Sequence, residues 1–364
     1  MTNTPNIRTL TPIIALIFSA VTSSCITEIP FEIEEEESQY VIYGEITDRS
    51  GPYNVEVYKT VPFNNSIGNI ATTAVNSAIV TISDLAGRSE QLNPVSPGKY
   101  RTSPNGIAGM LNQSYFLTVE IGENIYQSSI QTIKPVPEID TVYYELTYRK
   151  SFVGETINEV PYVDFYVELV DKQEEQNYYL WKWEGVAQVK TFPELYSTVQ
   201  NGMRIISPLP CSVPFCECCD CWIDKGTKNP LVPLSDQYVN GNLINSQIFS
   251  LPVNANYFDS KLYVNVLQHS INQDVYAFWK LIADQEESES TLFAVPSAQI
   301  ESNIKNINNE NELVWGIFSA SSVVEKSIFI DRNELGIRVP SDSIKDDCSK
   351  IPGSTNQKPS FWID

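Results

Sequence analysis

Apolar and polar residues alternate along short segments of the chain from residue 40 onward, and turn residues separate these segments. Residues 40–47 and 53–59 alternate on either side of a turn that contains Gly51 and Pro52, which is typical of a β-hairpin. The first third of the chain accommodates roughly seven short strands, one about every 8 to 12 residues, with turn residues between them. The pattern therefore predicts an immunoglobulin- or transthyretin-like β-sandwich over residues 38–134.

A proline-marked linker ends the predicted sandwich and opens a second β-rich domain. Residues 134–137 read Lys-Pro-Val-Pro, and two prolines fix φ and remove two backbone donors, which makes the connection short and stiff. We therefore place the second domain at residues 138–364. It starts with alternating segments at residues 141–148, 162–170 and 178–189.

The last of these segments places three aromatic side chains on one face of a strand. Tyr179, Trp181 and Trp183 share that face, and Leu180 and Lys182 point the other way, because side chains alternate along a strand. Three aromatics on one face can form a stacking platform for sugar rings or hydrophobic ligands. They can also form the buried face of a sandwich, which is the more common outcome. We retain Tyr179, Trp181 and Trp183 as candidate ligand or partner contacts.

One amphipathic helix is predicted after residue 270. Ser270 and Gln273 fit a capping box, in which each side chain accepts from the other's backbone N–H. Apolar residues then repeat at helical spacing: Val275, Phe278, Trp279 and Ile282. Acidic residues between positions 284 and 289 oppose the helix dipole and favour an end there. We expect this helix to lie on a sheet, and residues 313–320 and 322–330 to form a closing pair of strands.

The amino-terminal segment indicates where the protein is located. An apolar run at residues 13–21 follows Arg8 and precedes small polar residues and Cys25. This run is too short to cross a hydrocarbon core, which needs about 20 residues, so residues 1–24 are interpreted as a removed signal peptide. Small residues before a cysteine resemble the bacterial lipoprotein signal, in which lipid is attached to Cys25. The alternative is an ordinary secreted protein with an incidental cysteine.

An acidic segment at residues 25–37 follows the predicted lipidation site. It contains Glu28, Glu32 and four consecutive glutamates, and it is too charged to pack, so we expect a solvated tether. A triacylated Cys25 would hold the protein at a membrane, since two or more chains anchor stably. Acidic residues at this place also resemble the export signal of surface lipoproteins in Bacteroidota-type outer membranes. A cell-surface position is therefore expected, with a plain spacer and a periplasmic position as the alternatives.

Charge and composition narrow the function classes. The chain has 45 acidic and 24 basic residues, with a net charge of -21, so it would be repelled by phosphate backbones and nucleic acid is not an expected partner. Its single histidine, His269, removes most imidazole-based catalytic constellations and the multi-histidine metal sites. We therefore expect no enzymatic activity, no cofactor and no metal, although paired carboxylates keep a hydrolase open as a third class.

Six cysteines remain once Cys25 is set aside. Five are clustered and one stands near the end of the chain: Cys211, Cys216, Cys218, Cys219, Cys221 and Cys348. Their C-x-x-C spacings would suit zinc thiolates in a reducing compartment, but a signal peptide indicates an oxidising one, where such density favours disulfides. Because five is an odd number, complete pairing requires one clustered cysteine to bond Cys348. Six cysteines allow fifteen connectivities, and excluding the strained neighbour pair Cys218–Cys219 removes three of them and leaves about twelve. The sequence does not choose among these.

Several short motifs resemble one family in their order along the chain. These are residues 43–48 (Tyr-Gly-Glu-Ile-Thr-Asp), 51–53 (Gly-Pro-Tyr), 78–82 (Ala-Ile-Val-Thr-Ile), 97–100 (Pro-Gly-Lys-Tyr), 178–181 (Tyr-Tyr-Leu-Trp), 270–279 and 358–362 (Lys-Pro-Ser-Phe-Trp). Together they resemble the domain-of-unknown-function 4249 family of Bacteroidota outer-membrane lipoproteins. The resemblance implies a location and a TonB-dependent receptor as partner, and it implies no catalytic residues.

These observations lead to one expected function and one rival. We expect an outer-membrane lipoprotein that serves a TonB-dependent nutrient transporter as an accessory subunit, by binding a ligand or gating its entry. The rival is a structural or adhesive cell-surface β-sandwich lipoprotein without a transport role. Phe361 and Trp362, which follow a polar segment marked by Pro359, are further candidate partner contacts because aromatic residues are enriched at interface hot spots. The alternative is that this tail packs beside the cysteine cluster.

Overall fold

The computed structural model describes residues 38–61, 72–153, 156–171, 176–226, 232–289, 300–340 and 344–363. The predicted signal peptide, Cys25 and the acidic tether lie outside these described residues. Within them the chain is mainly β, as predicted. No helix in this part of the chain is long and apolar enough to span a membrane.

Strands alternate with short connections along the described chain. The strands of the first half are β1 (Tyr40–Thr47), β2 (Asn54–Thr60), β3 (Thr72–Ala74), β4 (Ile79–Asp84), β5 (Ser89–Gln91), β6 (Asn93–Ser96), β7 (Lys99–Arg101), β8 (Ser114–Ile121), β9 (Asn124–Ser128), β10 (Gln131–Thr132), β11 (Thr141–Val153) and β12 (Thr156–Val170). Those of the second half are β13 (Tyr178–Lys190), β14 (Ser197–Gln200), β15 (Met203–Ile206), β16 (Asp220–Asp224), β17 (Val232–Ser235), β18 (Leu243–Pro252), β19 (Lys261–Ser270), β20 (Ile304–Asn306), β21 (Val314–Asp331) and β22 (Ser354–Thr355). The α-helices are α1 (Ala255–Phe258) and α2 (Gln273–Glu289), and short 3-10 turns cover Pro193–Leu195, Pro210–Ser212, Arg332–Leu335 and Cys348–Lys350.

Four sheets organise these strands. The largest has eleven strands in the order β22-β16-β13-β19-β21-β1-β2-β7-β6, with β17 paired to β13 and β3 paired to β2. A six-stranded sheet has the order β20-β9-β8-β4-β5, with β10 on β8, and a three-stranded sheet has the order β11-β12-β18. The hairpin β14–β15 forms a two-stranded sheet of its own.

Strand β21 connects the amino-terminal and carboxy-terminal parts of the large sheet. Its first residues pair in parallel with β1, from Tyr40 opposite Val314, and its later residues pair antiparallel with β19. A closing pair of strands was expected here, but the structure has one continuous strand of 18 residues. Gly316 permits the close approach to β1, because it has a φ of 109° and a Cβ there would overlap the Ile42 carbonyl.

The predicted division at residues 134–137 does not separate two independent sheets. Strand β1 lies beside β21, and β9 of the six-stranded sheet pairs with β20. The described residues belong to one compact unit. The amino-terminal sandwich is therefore completed by strands from the far end of the chain, because residues 38–134 alone leave the inner edge of β1 without a partner.

Two apolar cores lie on one face of the large sheet. The first joins β1 and β2 to the six-stranded sheet through fully buried residues such as Ile42, Val57 and Leu117. The second joins β13, β19 and the end of β21 to the three-stranded sheet, with Trp181 and Phe165 at its centre. Both cores therefore have the sandwich arrangement, in which alternate side chains of facing sheets interdigitate.

The predicted helix lies on the opposite face of the large sheet. Helix α2 packs Val275 and Phe278 against Leu180 and Ile317, as its apolar periodicity indicated. It begins at Gln273 rather than directly after Ser270, so the predicted capping box is wrong. Ser270 stays in β19 because it pairs with Tyr179 of β13 on one side and with Ser322 of β21 on the other.

Candidate functional site

A cleft of about 600 Å³ opens on the face of the large sheet that carries helix α2. Its floor comes from β1, β13, β19 and β21, and Trp279 of α2 contributes to one wall. The volume falls within the range of about 300 to 1,000 Å³ that is usual for small-molecule sites. The cleft lies where β21 passes from its β1 partner to its β19 partner, so amino-terminal and carboxy-terminal segments both line it.

Strand alternation determines which side chains reach the cleft. On β13 the odd-numbered aromatics enter the sandwich core, and Leu180, Lys182 and Glu184 line the cleft. On β1 the core takes Ile42 and Ile46, which leaves Glu45 on the cleft side. Charged groups are therefore available here because this face of the sheet is only partly covered by the helix.

An ion pair crosses the floor of the cleft. The Lys182 ammonium donates to Glu45 Oε2 at 2.6 Å, and the two side chains are 18% and 45% exposed. Desolvation in the cleft raises the pKa of the Glu45 carboxyl, but the nearby Lys182 charge and the hydrogen bond from Lys182 outweigh it, so the net effect is a lowered pKa. The lowered pKa keeps the Glu45 carboxyl ionised, and both members of the ion pair face the cleft.

The single histidine is part of the same site. His269 is buried, and its Nδ1 lies 2.9 Å from the Ser321 hydroxyl oxygen. Burial lowers the pKa of His269 to about 3, with a further lowering by the Lys182 charge. The ring is therefore neutral and offers the cleft hydrogen bonding rather than charge. Ser321 is 1% exposed and does not line the cleft, so this pair does not present a hydroxyl nucleophile to a bound molecule.

The walls and the rim of the cleft differ in character. Ile271, Ile317 and Trp279 supply apolar surface on the helix side. At the rim Arg49 pairs with Glu325 at 3.0 Å, with both side chains nearly half exposed, and such a pair is weak because water screens it. The arrangement can hold a small polar molecule against the Lys182–Glu45 pair, with apolar contacts on one side.

The predicted aromatic platform is not a ligand surface in this structure. Tyr179, Trp181 and Trp183 are 1 to 2% exposed and belong to the sandwich core. Trp183 stacks on Phe249 with ring centroids 4.6 Å apart. The contact hypothesis for these three residues is therefore corrected, because the three-stranded sheet covers the face on which they lie.

The aromatic tail packs back onto the large sheet. Trp362 is 6% exposed and makes edge contacts with Trp222, next to Cys221, and with Phe329. Phe361 lies against Tyr263 but remains 45% exposed. Trp362 is thus a packing residue beside the cysteine cluster rather than a free partner contact, and only Phe361 retains accessible surface.

The six cysteines form three disulfides. Cys221 pairs with Cys348 over 127 residues, Cys211 pairs with Cys218, and Cys216 pairs with Cys219. The predicted disulfides are therefore present, and the tail is joined to the cluster through Cys221. Glu194 lies near the sulfurs of Cys216 and Cys219, but sulfurs bonded to each other are not the thiolates that zinc binds.

Sequence reasoning missed the cleft. Glu45, Lys182 and His269 come from three strands that are far apart in the chain, so no local motif joins them. One signal was available, since Lys182 alternates with buried aromatics in an otherwise apolar strand. A charged residue on the second face of such a strand indicates that this face meets water or a ligand.

By its fold and its site, this is a mainly β protein that is braced by disulfides and carries a polar cleft on one sheet. The chain belongs to the family described as domain of unknown function (DUF4249), whose model matches residues 26–327. The family assignment rests on more than half of the chain and confirms the resemblance seen in the sequence motifs. No curated protein matches the chain significantly.

Proposed function

We propose that this protein is a lipid-anchored outer-membrane protein that binds a small polar ligand as an accessory subunit of a TonB-dependent transporter. The observation that carries the ligand-binding role is the cleft with the Lys182–Glu45 ion pair in its floor. Membership of the DUF4249 family and the signal before Cys25 support the location. The transporter is the partner implied by the family resemblance.

Because of the position of the cleft, a bound ligand would connect strands that are not adjacent in the sheet. Glu45 belongs to β1 and Lys182 to β13, and these strands are separated in the sheet by β19 and β21. A ligand that contacts both side chains would bridge the two parts of the sheet. Such a bridge would add to the one that the ion pair already makes between β1 and β13, and it suits either delivery of a ligand or control of its entry.

The transporter role is tested by copurification. The full protein, tagged and solubilised in detergent, is expected to recover a TonB-dependent receptor that mass spectrometry identifies. Recovery of the intact, lipidated protein without any such receptor would contradict the proposal and would favour the structural or adhesive alternative.

The cleft is tested by a charge-neutral replacement of the ion pair. The double variant Glu45→Gln, Lys182→Gln keeps side-chain size and leaves no unpaired charge. The matched control is Lys305→Gln, because Lys305 is the exposed residue of β20 and lies outside the cleft. Native mass spectrometry of protein from the producing cells should show a bound small molecule in wild type and in the control, and loss of it in the double variant. Equal occupancy in all three proteins would refute the cleft as the site.

A further inference from the structure

The exposed apolar side chains of the described chain are concentrated in one segment. Seven of the 25 large apolar residues that are exposed lie between positions 195 and 215, which we call the apolar arm. They are Leu195, Val199, Met203, Ile205, Ile206, Val213 and Phe215. The arm therefore presents an apolar surface to solvent that no described part of the chain covers.

The apolar arm also differs in charge from the rest of the protein. Its only charged residue is Arg204, and it contains no acidic residue, although the whole chain has a net charge of -21. Depletion of charge together with exposed apolar groups is the composition found at the centre of protein interfaces. The arm is thus the part of the surface best suited to contact a neutral or acidic apolar partner.

Covalent and backbone links hold the arm in place. The loop that carries Val213 and Phe215 is closed by the Cys211–Cys218 disulfide. Thr191 at its base bonds to the disulfide segment through its backbone N–H to Cys219 O at 2.8 Å and its hydroxyl to Cys218 O at 2.7 Å. Phe215 is 78% exposed on this braced loop, and a preorganised aromatic loses little freedom when it binds.

The backbone of the arm favours a protein over a lipid surface. Among the described residues, β14 and β15 pair only with each other, so both outer edges of the hairpin present unpaired N–H and C=O groups. A partner strand can pair with such an edge. Hydrocarbon has no hydrogen-bonding groups, so burying the unpaired N–H and C=O groups in a membrane is costly. Apolar side chains occupy both faces of the hairpin, Val199 and Ile206 on one and Met203 and Ile205 on the other.

We infer that the apolar arm is the surface that docks a protein partner with an apolar patch and an accessible strand edge. On the proposed function, on which this step rests, that partner is the transporter. The exposed Phe215 and the tip residue Met203 are the contacts expected to matter most.

The test compares copurification of the transporter by full-length variants in detergent. Met203→Ser with Phe215→Ser should reduce the recovered transporter about tenfold or more at an unchanged melting temperature. The matched control is Leu85→Ser with Tyr238→Ser, which removes two apolar side chains of similar exposure, 62% and 91%, outside the arm. If the arm variant melts at a lower temperature than the control, copurification is repeated with Arg204→Glu. Reversal of this exposed charge on the arm should reduce the recovered transporter without loss of packing.

The outcomes separate this inference from the proposed function. Wild type that recovers no transporter overturns both. Wild type and arm variants that recover it equally overturn the docking surface and leave the proposed function standing. Flotation of the unlipidated Cys25→Ser protein with vesicles of phosphatidylethanolamine and phosphatidylglycerol completes the test, because the lipid on Cys25 would otherwise carry every variant to the vesicles. If the arm substitutions abolish vesicle binding in this background while the lipidated arm variant keeps the transporter, the arm is assigned to lipid and the inference is overturned.

Discussion

Removal of the Cys221–Cys348 disulfide should be the most destabilising loss among the three bonds. The bond closes 127 residues, and the chain-entropy relation gives about 5 kcal/mol for a loop of this length at 25 °C. The Cys216–Cys219 bond closes only three residues, for which the same relation gives about 2 kcal/mol. Replacing each pair by alanine should therefore separate the two variants by about 3 kcal/mol.

Urea unfolding of the oxidised proteins, followed by tryptophan fluorescence, measures this difference. Trp222 and Trp362 lie next to the long-range bond and report on its region. The Cys211–Cys218 pair, with a separation of seven residues, provides an intermediate value slightly above that of the shortest loop. Equal losses for the longest and the shortest loop would refute the reasoning, since both the loop length and the burial of Cys221 and Cys348 predict the larger loss for the long-range bond.

Three further predictions concern the anchor, the histidine and the tail. Cys25→Ser should move the protein out of the membrane fraction, and mass spectrometry that finds an unmodified amino terminus elsewhere in wild type would contradict lipidation. His269 has a lowered folded pKa of about 3, so the unfolded state binds the extra proton first and stability falls as pH drops below about 6.5. Between about pH 7.5 and pH 5.5, the free energy of unfolding of wild type should fall by about 1.4 kcal/mol more than that of His269→Asn. An equal fall in the two proteins would contradict the lowered pKa of His269. Trp362→Ala should cost about 3 kcal/mol or more, because the side chain is buried, whereas half-exposed Phe361→Ala should cost less than about half of that in the same urea assay.

Local patterns predicted the elements of this fold better than their partners. The alternation at residues 40–47 and 178–189 matches β1 and most of β13, and the apolar periodicity of α2 matches its packing. The parallel pairing of β1 with β21 was not predictable, because it joins Tyr40 to Val314 and has no local signature. The same gap hid the continuity of β21, since the break was expected at Ser321, where the strand instead continues and changes its partner from β1 to β19.

Prediction of the site was limited for a related reason. The aromatic face of β13 was predicted as a possible ligand surface because a stacking platform and a buried sheet face have the same sequence pattern. The two differ only in whether another sheet covers the aromatic residues, and here the three-stranded sheet does so. The number of cysteines requires Cys348 to have a partner in the cluster, but the choice of Cys221 depends on the position of β16 between β13 and the edge strand β22 of the large sheet. The cleft depends on Glu45, Lys182 and His269 meeting across strands, which is a property of topology rather than of any single segment.

The central position of β21 has a consequence for the order of folding. The first strand of the described chain finds its parallel neighbour only after residues 314–321 have emerged, so the amino-terminal sheet cannot be completed until nearly all of the described chain is available. Pairing over such a distance has a high contact order, and proteins dominated by distant contacts fold slowly. Until that strand arrives, the edge of β1 is exposed and can pair with other chains. A chaperone that protects strand edges would therefore matter most for this protein in the interval before its last long strand, β21, becomes available.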